Sequence, residues 1–192
     1  MIAHLKRAAA LFGAAILAAA IFAVPANAQS GTPHLMLTLK DGVVDIELLK
    51  DTAPKHVEQI IKLTEAGAYD GVVFHRVIDG FMAQTGDVRN GNSNNANFNM
   101  ALAGTGDSDL PNVVAEFSDI PYERGIVGAA RTNDPNSFNS QFFIMFTEYP
   151  SLNGQYTVFG KVVAGMEFVD NITKGEPPAN PDKIISAKIE YK

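Results

Sequence analysis

Apolar and polar residues alternate with a period of two from Val44 to Leu48, after a mostly apolar run that begins at Leu35. His34-Leu35-Met36-Leu37-Thr38-Leu39-Lys40 and Val43-Val44-Asp45-Ile46-Glu47-Leu48 flank Asp41-Gly42. This pattern predicts a β-hairpin with a tight type I′ turn, because Asp-Gly tolerates the positive φ that such a turn needs. Val44, Ile46 and Leu48 then share the inward face. The period changes in the next segment, where Val57, Ile60, Ile61 and Leu63 follow Pro54 at helical spacing. With Thr52 as cap and Gly67 as stop, a helix from about Ala53 to Glu65 is predicted. His56 falls on its exposed side.

Strand character returns at Val72-Val73-Phe74-His75-Arg76-Val77 and, after the Asp79-Gly80 turn, at Phe81-Met82-Ala83-Gln84-Thr85-Gly86. From Asp87 to Asp109 the chain is rich in Asn, Gly, Ser and Asp, a loop composition in which Phe98, Met100 and Leu102 are the expected anchors. Further short apolar runs occur at Ile126–Ala130, Gln141–Phe146, Thr157–Val162 and Ile184–Glu190, and Met166–Ile172 has helical spacing with Lys174-Gly175 as its stop. Many short strands, frequent turn signals and only two helices predict a closed or nearly closed antiparallel barrel. No internal repeat or interdomain linker is evident.

The N-terminus alters the picture of where the chain resides. A short basic region, Met1–Arg7, precedes an acid-free apolar run from Ala8 to Val24, and Pro25-Ala26-Asn27-Ala28 supplies small residues at the positions a signal peptidase reads. Residues 1–28 are therefore expected to be a cleavable export signal, with residues 29–192 forming one domain in the periplasm. An uncleaved anchor is the alternative, disfavoured by Pro25 and the Ala-rich run. Without Lys6 and Arg7, the 15 Lys and Arg against 21 Asp and Glu become 13 against 21, a net charge near −8. That balance, with no clustered cations, disfavours a nucleic-acid partner or an anionic membrane surface. Cysteine is absent, so neither disulfides nor thiol chemistry is available.

Candidate chemistry concentrates in two segments. Phe74-His75-Arg76, Gly80-Phe81-Met82 and Gln84 form the first, and Ser140-Gln141-Phe142-Phe143-Ile144-Met145 the second. Aromatic and sulfur-bearing side chains beside a lone cation and amides suit an apolar peptide-binding pocket with a few fixed polar contacts. Patterning alone leaves other roles open: Arg76 as a surface cation paired with Asp79 or Asp87, Phe81 and Met82 as core, and Gln84 as an exposed amide. His75 has no HxH, HExxH or acid-rich partner motif, and no Gly-x-Ser-x-Gly elbow is present, so neither a metal centre nor a serine hydrolase is indicated. A packed or hydrogen-bonded supporting role beside the groove is expected for His75.

In order and spacing, Phe74-His75-Arg76, Gly80-Phe81-Met82, Gln84 and Gly86-Asp87 resemble the signature of the cyclophilin family of peptidyl-prolyl cis/trans isomerases. The resemblance runs from Leu35 to near Glu190. It implies a mainly β fold, a closed eight-stranded antiparallel barrel with two helices capping its ends. It also implies isomerisation of bonds before proline with no cofactor, metal, nucleotide or covalent intermediate. The family's catalytic arginine falls on Arg76, its pocket walls on Phe81 and Met82, and the floor beneath the proline ring on Phe143. Gln84, Ala130, Arg131, Gln141, Leu152 and Tyr156 correspond to further substrate-binding or groove-lining positions. Arg131 stands where many eukaryotic members carry Asn and many bacterial members Arg.

Two pocket positions depart from the eukaryotic pattern. Aligning Leu152-Asn153-Gly154 with the family's Leu-Asp-Gly turn puts Ser151 at its tryptophan position and Tyr156 at its histidine position. In the family that tryptophan helps hold the inhibitor cyclosporin, so weaker inhibition is implied here. The implied partners are unfolded or partly folded proline-containing polypeptides in the export compartment, met by a monomer with no stable membrane partner. The altered positions also leave open a peptide-binding chaperone that uses the same pocket with weak turnover.

Overall fold

The segments on either side of Asp41-Gly42 form the predicted pair of strands in the computed structural model, which describes residues 30–192. The expected export signal lies outside the described residues. Strands β1 (Pro33–Thr38) and β2 (Val43–Leu48) pair antiparallel, with Thr38 opposite Val43 and Leu35 opposite Ile46. Leu35, Leu37, Val44, Ile46 and Leu48 are buried. The connecting turn differs from type I′, since neither Asp41 nor Gly42 has a positive φ and Leu39 N–H donates to the Gly42 carbonyl at 2.8 Å. Gly42 is needed for space instead: a Cβ there would lie 2.3 Å from the Phe168 ring.

Helix α1 (Pro54–Glu65) begins on proline as predicted, but Thr52 does not cap it. The N-terminus is covered by Glu116, whose carboxylate accepts from Lys55 N–H and His56 N–H at 3.1–3.2 Å and bonds His56 Nδ1 at 2.7 Å. A carboxylate is favoured there by the unpaired N–H groups and the helix dipole. His56 is therefore buried, at 1% exposure, and stacks on Phe138 at 4.5 Å. The expectation of an exposed His56 fails because helical periodicity does not register a distant segment folding over the first turn. Burial pushes the His56 pKa down, with Glu116 opposing. Burial also raises the Glu116 carboxyl, but the hydrogen bonds from His56 and the helix N–H groups outweigh it and leave its pKa lowered.

Six more strands complete the sheet: β3 (Arg76–Ile78), β4 (Met82–Thr85), β5 (Ile126–Ala129), β6 (Phe142–Met145), β7 (Val158–Ala164) and β8 (Ser186–Tyr191). Their order is β3-β4-β6-β5-β7-β2-β1-β8, antiparallel throughout. Helix α2 (Met166–Asp170) buries Val169 in the main core, as α1 buries Val57, Ile60 and Leu63. The expected closed barrel does not form, since no ladder joins the edge strands β3 and β8. Isolated bridges at Val73–Lys183 and Val77–Gly175 tie the flanking segments, so the sheet is a curled half-barrel. Much of the strand predicted from Val72 is spent on such bridges.

Strands β5 and β6 are buried on both faces, which explains their unbroken apolar runs. Side chains of successive strand residues point to opposite faces. Val127, Ala129, Phe142 and Ile144 enter the main core, whereas Ile126, Phe143 and Met145 join a second cluster with Met82, Tyr122 and Val158. The site is built on this second cluster.

The polar loop after β4 is not held chiefly by its apolar residues, and Leu102 is 51% exposed. Asp87, fully buried, anchors it. One carboxylate oxygen accepts from Arg89 N–H at 3.1 Å and Asn90 N–H at 2.8 Å, and the other from Gly104 N–H at 2.7 Å and Gly106 N–H at 2.9 Å.

Candidate active site

Strand register brings the two sequence segments together. Arg76 lies opposite Gln84 on β4, Gln84 opposite Phe143 on β6, and Phe143 opposite Gly128 on β5. Directly opposed residues share a face, so these four positions form one row across four strands. Two residues along, Ile78, Met82 and Met145 form a second row. Gly128 has no side chain to offer and could not have one: a Cβ there would lie 2.4 Å from the Phe143 ring and 2.4 Å from the Tyr122 hydroxyl.

A cavity of about 150 Å³ opens over these rows. Its apolar lining consists of Phe81, Met82, Ala130, Phe143, Leu152 and Tyr156, and its polar lining of Arg76, Gln84 and Arg131. Phe143 and Met82 are 5% and 1% exposed, so the lining presents little of either to solvent. Tyr156 meets Phe143 edge-on at 5.9 Å, and Tyr122 stacks behind Phe143 at 5.7 Å. Phe81 is flanked by Tyr149, with ring centroids 4.5 Å apart. Ser151 is exposed on the turn Pro150–Leu152 and does not line the cavity, although its neighbour Leu152 does.

The two cations of the lining differ in their freedom. Arg131 donates to the Gln155 carbonyl from Nε and Nη2 and to the Thr132 carbonyl from Nη1, and its guanidinium lies 4.2 Å from the Tyr156 ring centroid. It braces the rim. Arg76 donates from Nε to Glu176 at 2.5 Å, while Nη1 lies 4.0 Å from Met82 Sδ and the guanidinium carbon 6.0 Å from the Phe81 ring centroid. Its acidic neighbour is thus Glu176, rather than Asp79 or Asp87.

Gln141 lies outside the cavity, in an adjoining polar cleft with Gln84, Ala130 and Arg131. Its Nε2 donates to the Gly104 and Gly106 carbonyls at 3.1 and 3.0 Å, and its Oε1 accepts from Gln84 at 3.1 Å. The Asp87-held loop is thereby linked to the cavity wall. His75 is buried behind Arg76, with neither ring nitrogen hydrogen-bonded to a described residue. Gly104 packs so closely on it that a Cβ would lie 2.7 Å from the imidazole. Burial pushes the His75 pKa down against the opposing charge of Asp87.

Sequence reasoning missed Tyr122, Tyr149, Gly128 and Glu176. Ile120-Pro121-Tyr122 is an apolar signal inside a stretch that otherwise reads as loop. Glu176 carries no signal, being 100 residues from Arg76.

The arrangement can hold a small apolar ring against Phe143 while a guanidinium and an amide address the attached backbone. Residues 34–189 match the family described as cyclophilin type peptidyl-prolyl cis-trans isomerase/CLD. A probable peptidyl-prolyl cis-trans isomerase of Brucella suis is 57% identical over 187 residues, covering 94% of this chain and 95% of that protein. Peptidyl-prolyl cis-trans isomerase A of Dickeya dadantii is 34% identical, covering 86% and 88%. Among solved structures, a cyclophilin from Hirschia baltica superposes with a TM-score of 0.70 at 31% identity, covering 81% of this chain and 73% of that one. A Cryptosporidium parvum cyclophilin type isomerase crystallised in the presence of the dipeptide Ala-Pro has a TM-score of 0.70 at 27% identity, covering 83% and 99%. With its fold, its cavity and these relatives in agreement, the chain belongs to the cyclophilin-type peptidyl-prolyl cis-trans isomerases.

Proposed function

We propose that Arg76 is the catalytic residue of an isomerase that accelerates folding of proline-containing exported polypeptides in the periplasm, without a covalent intermediate. The bond before proline is held by amide resonance, with a barrier of about 18–20 kcal/mol. In the twisted transition state conjugation is lost and the prolyl nitrogen becomes pyramidal and basic. Rate is gained only by interactions stronger in that state than in either planar one. Arg76 presents several N–H groups in a planar, cationic fork. With Nε engaged by Glu176, its Nη groups are the donors for the developing lone pair or a flanking carbonyl. Phe143, Met82, Phe81 and Leu152 would seat the ring, Tyr156 and Ala130 would border it, and Gln84 would hold substrate backbone. Arg131 and Gln141 would stabilise the groove walls, and His75 would pack behind Arg76.

The observation that carries this reading is the cross-strand row Arg76–Gln84–Phe143, which sets one guanidinium at the edge of an aromatic-floored cavity. The Ala-Pro dipeptide named with the Cryptosporidium parvum structure supports proline-containing peptides as the substrate class. NMR exchange spectroscopy on an Xaa-Pro peptide tests it: catalysis by the wild-type protein should fall about 100-fold or more in Arg76→Ala, the scale expected for loss of a transition-state donor, with the fold retained. Wild-type protein that leaves the exchange rate unchanged would sink the assignment. Support for the periplasmic setting is the basic, apolar and Ala-Asn-Ala pattern of residues 1–28. A protein recovered from the periplasmic fraction with Gln29 as its first residue is the expected result; a cytosolic protein retaining Met1 would refute it.

A further inference from the structure

We infer that Glu176 is a positioning residue for Arg76, an inference that rests on the isomerase reading above. Arginine has a long side chain with a large rotamer entropy to lose, and the Arg76 side chain is 40% exposed. Its contacts on the cavity side, with Met82 Sδ and the Phe81 ring, are loose ones at 4.0 and 6.0 Å. The bond from Nε to Glu176 Oε1, at 2.5 Å, is the short directed contact that sets the plane of the guanidinium. Because it occupies the Nε edge of the fork, it leaves the Nη groups for the cavity.

The Glu176 side chain is 50% exposed, but the backbone that carries it is held in place. The neighbouring Gly175 exchanges both backbone hydrogen bonds with Val77 at 2.8 Å, and Val77 directly follows Arg76. That bridge holds the 175–176 segment along the open edge of β3, one residue from the guanidinium's own strand position. Gly175 adopts φ +151°, and a Cβ there would meet Pro178 Cα at 2.5 Å, so the segment also packs tightly upon itself.

Such an exposed pair contributes little to global stability. Its effect is on which Arg76 rotamers are populated when substrate arrives. Losing the orienting contact should lower kcat/KM about three- to five-fold.

The test is exchange spectroscopy on an Xaa-Pro peptide with Glu176→Ala and Glu176→Gln, the alanine change also being made in an Arg76→Ala background. Glu176→Ala should lose three- to five-fold in kcat/KM with an unchanged urea midpoint. Glu176→Gln, which keeps an acceptor for Nε–H, should retain more than half of the wild-type value. In the Arg76→Ala background the Glu176→Ala change should have no further effect. Independently of turnover, the Arg76 Nε–H resonance should be protected from solvent exchange in the wild type and lose that protection in Glu176→Ala. An active wild type with undiminished Glu176→Ala, a Glu176→Gln as impaired as Glu176→Ala, or a loss that persists without Arg76 would each overturn the positioning role and leave the isomerase reading standing. An inactive wild type would overturn both.

Discussion

Replacing Asp87 by Asn should release the polar loop from the half-barrel although the side chain's shape hardly changes. The buried carboxylate accepts four backbone N–H groups, two on each oxygen, from Arg89 and Asn90 and from Gly104 and Gly106. An amide retains only one acceptor. If its oxygen stays with Arg89 and Asn90, its NH2 group must face the N–H groups of Gly104 and Gly106, donors opposed to donors. A buried donor left without an acceptor costs about 1–3 kcal/mol. Gly106 N–H is buried and bears that cost in full, whereas Gly104 N–H is part-buried and can recover some of it from water. The expected destabilisation is about 2–4 kcal/mol. The loss should reach the cavity, because the Gly104 and Gly106 carbonyls hold Gln141, which in turn accepts from Gln84. Urea unfolding would measure the global cost and amide hydrogen exchange the local one, with protection lost at Gly104 and Gly106 first. A destabilisation below about 1 kcal/mol with unchanged protection at both glycines would refute the claim that Asp87 holds this loop.

Gly128→Ala should cost about 1–3 kcal/mol by overpacking and lower kcat/KM, since the new Cβ would lie 2.4 Å from both Phe143 and Tyr122; stability and activity both within error of wild type would contradict the packing. Glu116→Ala should remove about 1–3 kcal/mol, measurable by thermal or urea unfolding, because it uncovers the α1 N-terminus and strands the buried His56 ring nitrogen. Stability should also fall on acidification. Burial depresses His56 and His75 below their usual 6.5, so the unfolded chain binds their protons first as the pH drops. The folded state is then fully favoured above about pH 7 and loses ground below about 6.5, with the depressed Glu116 carboxyl extending the loss to lower pH. Urea midpoints that rise from pH 7 to pH 5.5 would reverse this sign.

Local patterns were legible wherever one element's own chemistry decided the outcome. Val44, Ile46 and Leu48 alternate because β2 has one face on the core. Pro54 and the Val57–Ile60 spacing mark a helix because one stripe is buried. Phe142-Phe143-Ile144-Met145 read only as an apolar run, since its alternate residues feed two different clusters. The turn at Asp41-Gly42 was misread because Phe168, far along the chain, sets the demand for glycine. The barrel was expected to close, but nothing in the strand patterns of β3 and β8 states whether their edges will meet.

By itself the sequence determined a mainly antiparallel fold with two helices and its membership of a family, because periodicity and a spaced motif are properties of neighbouring residues. It also singled out Arg76, Phe81, Met82, Gln84 and Phe143, but as two separate segments. Only tertiary structure decided that strand register sets Arg76, Gln84 and Phe143 in one row. The same holds for the acids, with Glu116 capping a helix 60 residues away and Glu176 reaching an arginine 100 residues away. A carboxylate has no periodicity to betray its partner. The place of Glu116 is fixed by which helix N–H groups the folded backbone leaves without an acceptor, and that of Glu176 by where β3 sets the guanidinium; both become known only once the chain is folded.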